Sequence, residues 1–136
     1  MKRAAVAIGL WALAGGVAAA TPLLELMKQE VDPAANAFWA AGNDPPEGEG
    51  PQAADARWAA AAVAAAKLEA DGRLLTRPEH SRPGEWDAYA EMMEEAAAAG
   101  RIAIGKRDVE AAFEAGGRLY EACAGCHARY IPGRGG

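Results

Sequence analysis

The chain has 136 residues, 51% of them hydrophobic, with 14 basic and 19 acidic side chains and a net charge of −5. This length suits one domain of ordinary size, and an acidic chain without a basic patch excludes nucleic acid and anionic membrane as partners.

At the N-terminus, Lys2 and Arg3 precede an apolar run from Ala4 to Leu13, broken by Gly15-Gly16 and closed by Ala18-Ala19-Ala20, an Ala-x-Ala cleavage pattern. Residues 1–20 therefore read as a secretory signal peptide cut after Ala20. The run is too short for a membrane span, which needs about 20 apolar residues, so no stable membrane insertion is expected after cleavage. The mature domain is residues 21–136, with 12 basic against 19 acidic side chains and a charge of −7.

Alanine dominates that domain, β-branched residues are scarce, and prolines and glycines cluster between long periodic segments, so it reads as all-α. A first helix is expected from about Pro22 to Ala41, with Leu24, Met27, Val31, Ala34 and Phe38 as its buried stripe, widened by Leu23 and Trp39. Asp32-Pro33 inside it predicts a kink, or a restart capped by Asp32. After a loop over 43–51, a second helix runs from about Gln52 to Ala70, facing inward with Trp58, Ala62, Ala65 and Leu68 and ended by Asp71-Gly72. A crossing loop over 73–84 carries an exposed His80. The third helix starts near Glu85, presents Trp86, Tyr89 or Ala90, Met93 and Ala97 inward, and stops at Gly100.

The fourth helix, from Lys106 or Arg107 to Tyr130, has the cleanest periodicity. Val109, Phe113, Gly116, Tyr120, Cys123, His127 and Tyr130 alternate intervals of four and three, a seam suited to a buried face. Gly116-Gly117 in its middle costs about 1 kcal/mol per glycine relative to alanine, which predicts close approach of a neighbouring helix or ligand edge.

Within that helix stands Cys123-Ala-Gly-Cys126-His127, which holds both cysteines of the chain. Two thiols three apart and an imidazole four residues from the first face one flat ligand, the geometry of c-type haem attachment. Each sulfur would add to a haem vinyl group and His127 would ligate the iron from the proximal side. Three other readings stay open: a thioredoxin-like redox pair, which usually follows a strand; a strained disulfide; and a zinc site, for which only His80 is left as a fourth ligand. Export agrees with haem attachment, which bacteria carry out outside the cytoplasmic membrane, so the expected location is the periplasm.

Four helices with short connections favour an antiparallel up-down-up-down four-helix bundle with haem attached to the last helix. A signal peptide, four helices and a Cys-x-x-Cys-His near the C-terminus resemble the class II cytochromes c, the cytochrome c prime family. No methionine follows His127, which excludes the other common class. The resemblance implies one covalent haem c with its iron. It makes Arg129 a candidate propionate contact and Met27 the candidate distal iron ligand of the six-coordinate, low-spin branch. An early first-helix arginine common in the family is missing here, where Leu24, Glu25 and Leu26 stand. Met27 also fits the role of a core gap-filler, and Met92, Met93 and His80 are weaker ligand candidates.

No constellation of nucleophile, base and orienting acid is visible, so no enzyme is expected. The reading is a one-electron carrier exchanging electrons with redox proteins, with a homodimer left open. Its alternatives are a five-coordinate haem protein binding nitric oxide or carbon monoxide, and a haem-free helical thiol or metal-binding module. Haem binding further predicts an apolar cavity between the first and last helices.

Overall fold

A computed structural model describes residues 21–133, and the segment read as a signal peptide lies outside the described residues. Every regular element among them is helical, so the chain is all-α. Helix α1 is compound, α-helical over Leu23–Leu26, π-helical over Met27–Val31 and α-helical again over Asp32–Trp39. Helices α2 (Pro51–Leu75), α3 (Trp86–Gly105) and α4 (Val109–Tyr130) follow. Each packs on the one before it, and α4 also touches α1. No helix among the described residues is long and apolar enough to cross a membrane.

The break expected at Asp32-Pro33 takes a different form. Asp32 is helical at φ −62° and ψ −49° and caps nothing; its N–H donates to the Met27 carbonyl five residues back. Proline cannot donate to the carbonyl four residues behind it and its ring crowds that turn. Widening the preceding turn to five-residue bonds accommodates both effects, so the helix passes through Pro33 without ending.

Two glycines read as stops are instead contact points between helices. α2 runs through Asp71-Gly72 to Leu75, because Gly72 is buried where a Cβ would meet the Glu94 nitrogen at 2.9 Å and the Ala90 carbonyl oxygen at 3.0 Å. α3 likewise runs past Gly100, whose Cβ position is occupied by the Phe38 ring. The inner face of α2 is Trp58, Ala61, Ala65, Leu68, Gly72 and Leu75, while Ala62 is exposed. Small residues at these crossings let the backbones approach, and the largest side chains fully enclosed among the described residues are Phe38, Leu68 and Leu119.

α3 closes on a Schellman turn: Arg107 adopts a left-handed φ of 53°, with Asp108 N–H donating to Ala103 and Arg107 N–H to Ile104. Asp108 then caps α4 by accepting from the Ala111 N–H at 3.0 Å. At the other end of the fold, Arg57 of α2 pairs with Glu49 at 2.7 Å and donates to the Ala40 carbonyl at 2.8 Å, tying the end of α1 to α2.

Candidate functional site

A cavity of about 900 Å³ opens between α1, α3 and α4. Its α1 wall is the line Leu23, Met27, Val31, Ala35 and Trp39, each four residues from the next. On an ordinary helix of 3.6 residues per turn, such a line drifts by about 40° per step and would leave the cavity before reaching Trp39. The π-helical turn at Met27–Val31 underwinds the helix and turns the drift back. Pro33 therefore helps to keep Met27 and Trp39 on one side.

The α4 wall carries Tyr120, Cys123, Cys126 and His127, so both cysteines and the histidine of the Cys-x-x-Cys-His motif border this one space, and α3 contributes Trp86, Tyr89 and Met93. The two cysteines and His127 are half-buried. The α4 seam read as a buried face is not the packed face. Val109, Phe113 and Tyr120 are 51%, 63% and 63% exposed, and the packed side is Ala112, Ala115, Leu119 and Ala122. Alanines let α4 lie close against its neighbours, which rotates the larger seam residues to the edge. There the seam faces the cavity at one end and solvent at the other.

Burial pushes the Cys123 thiol up to about 11, with a smaller contribution from Cys126, and burial raises Cys126 as well. Both sit towards the C-terminal end of α4, far from the helix N-terminus that would stabilise a thiolate. Thioredoxin-like pairs need the opposite, a thiolate stabilised at a helix N-terminus. Both cysteines are free.

Aromatic contacts fix the walls. Trp86 donates from Nε1 to the Leu75 carbonyl at 2.8 Å and meets Tyr130 edge-on at 5.1 Å, and the Tyr130 hydroxyl donates to the Pro83 carbonyl at 2.8 Å. Tyr89 lies over Gly125, between the two cysteines, where a Cβ would meet its ring at 2.5 Å. Trp39 donates from Nε1 to the Gly116 carbonyl at 2.9 Å, and a Cβ at 116 would meet the same ring at 3.0 Å. The approach expected at this glycine is thus made by α1, whereas Gly117 faces open space.

No known protein family, no curated protein and no solved structure matches the chain.

Of the remaining sequence candidates, Met93 is buried and borders the cavity, whereas Met92 is exposed and does not. His80, expected at the surface, is 3% exposed and outside the cavity lining, because the 76–85 connection folds its ring inward. Arg129 is exposed and also outside the lining. The cation that does border the cavity is Lys28, with Asp32 one turn on. Sequence reading missed this pair, although the spacing of Leu24, Lys28 and Asp32 follows the Met27 line one residue later. Among the described residues, no three or more histidine, cysteine or acidic side chains are grouped to hold a metal ion by themselves. The cavity is lined mostly by apolar side chains, with two thiols and an imidazole on its α4 wall and the Met27 thioether on its α1 wall.

Proposed function

We propose that the chain is a periplasmic monohaem c-type cytochrome acting as a one-electron carrier, built as an antiparallel up-down-up-down bundle similar to the class II cytochromes c. The observation that supports this most is that Cys123, Cys126 and His127 border the same largely apolar cavity as Met27. Haem supplies the redox-active iron, and the chain supplies everything that fixes and tunes it. Cys123 and Cys126 would hold the group through one thioether each, and the thiols that burial keeps protonated are poor partners for disulfide exchange. His127 would supply an imidazole ligand to the iron and Met27 a thioether ligand, both residues bordering the cavity. A Met/His pair raises the potential and leaves no open coordination position. Trp86, Tyr89 and Trp39 would shield the bound group from water, and Lys28, which borders the cavity, would be better situated than Arg129 to meet a propionate.

The test is expression of the exported protein with a competent haem-attachment system, followed by mass spectrometry and visible spectroscopy. The expected result is one haem adduct per chain, with an iron–sulfur charge-transfer band in the oxidised spectrum that disappears in Met27→Ala and survives in Met93→Ala. A chain mass without adduct sinks the proposal. A high-spin spectrum indifferent to Met27→Ala replaces the carrier with the five-coordinate, gas-binding reading.

A further inference from the structure

Along α4, Val109, Phe113, Gly116 and Tyr120 fall within about 40° of one line, and the three apolar side chains among them are each more than half exposed. On one side of this strip is the packed row of Ala112, Ala115 and Leu119. On the other, about 100° round the helix, is a row of carboxylates, Glu110, Glu114 and Glu121. None of the three forms an ion pair among the described residues. Arg118 lies further round, towards the back of the helix.

The strip also leads somewhere. Phe113, Tyr120 and Trp39 border an outer hollow of about 340 Å³, and Trp39 and Tyr120 border the large cavity too. Their rings stand 6.5 Å apart, tilted by 58°. A single aromatic layer therefore separates the outer hollow from the cavity. Contiguous apolar surface with a charged border is characteristic of interaction sites.

We propose that this strip is the docking face for a redox protein that surrounds an apolar spot with lysine or arginine, and that electrons cross at the Trp39–Tyr120 layer. The inference rests on the carrier function proposed above. Charge selects the occupant: the carboxylate row attracts a basic face, whereas a second copy brings an identical row to it, within a domain already at −7. Complementary charge acts chiefly on the rate of encounter and therefore depends on salt.

The test is stopped-flow oxidation of the reduced holoprotein by a cytochrome c of strongly positive net charge, over a range of ionic strength, with ferricyanide as a small control oxidant. The wild-type rate with the basic probe is expected to fall as salt rises. Glu110→Gln/Glu114→Gln/Glu121→Gln lowers the low-salt rate about tenfold and flattens the salt dependence. Phe113→Ser lowers the rate at every salt concentration, and neither variant is slowed with ferricyanide. A salt-insensitive wild type, unchanged rates in both variants, or equal slowing with ferricyanide overturns the proposal. So does sedimentation of the wild type as a dimer that Phe113→Ser dissociates. Failure of the carrier reading itself is recognised separately, as protein without a haem spectrum that can be reduced.

Discussion

Replacing Pro33 with alanine tests whether a backbone irregularity sets the aim of Met27, the proposed distal ligand. Alanine restores the N–H that proline lacks, so the turn before it can return to ordinary four-residue bonding. The part of α1 after this turn is held: Phe38 is 1% exposed, Trp39 is bonded to Gly116, and Arg57 is bonded to Ala40. The adjustment therefore falls on Leu23–Met27. Removing one residue's worth of extra turn rotates that segment by about 100° and draws it along the axis by about 1.5 Å. On a cylinder of about 2.3 Å radius this moves the Met27 Cα sideways by ~3.5 Å, and its sulfur, further from the axis, by more. The proposed bond from the Met27 sulfur to haem iron would not survive such a displacement. The oxidised holoprotein of Pro33→Ala is thus expected to lose its charge-transfer band and show a lower reduction potential, with unchanged helix content by circular dichroism. An unchanged band and potential would refute the link between Pro33 and Met27.

Three further predictions concern stability. Gly100→Ala gains about 1 kcal/mol in helix propensity but drives a methyl into the enclosed Phe38 ring, overpacking that costs about 1–3 kcal/mol, so chemical denaturation should show a net loss. Arg107→Gly relieves a left-handed residue at a cost of an exposed ion pair with Asp55, and a gain of about 0.5–1 kcal/mol is expected by the same measurement. Asp71 is buried, its Oδ2 lacks a hydrogen-bond partner among the described residues, and burial raises its pKa despite Lys67. A raised folded-state pKa means that its contribution to stability is complete below the unfolded value, about 3.9, and is lost as pH rises through the folded value. Asp71→Asn should therefore melt higher than wild type at pH 7, with the difference closing towards pH 3.

Helix number, most of the inner faces and the position of the attachment motif were legible because they follow from periodicity and punctuation. The errors cluster where small residues decide packing. Gly72 and Gly100 have the chemistry of helix stops, and only the proximity of Glu94 and Phe38 reveals them as crossing points. In α4, the regular run from Val109 to Tyr130 outweighs the alanines on paper, yet Ala112, Ala115 and Ala122 are the residues that pack. His80 was read from its polar loop, whereas burial depends on how the 76–85 connection folds. Lys28 escaped notice because a single exposed lysine has no local signal; its meaning comes from the cavity beside it. Pro33 announced a disturbance, but proline alone does not distinguish a kink from a widened turn.

An alanine-rich interior makes a thin protein. Its helices nearly touch backbone to backbone at Gly72, and among the described residues Phe38, Leu68 and Leu119 are the large side chains most completely sealed from water. A cavity of about 900 Å³ lies between its first and last helices. On the proposed reading, a group held in that gap would add apolar contact that the small interior side chains do not make, so the loaded protein is expected to resist denaturant better than the empty one.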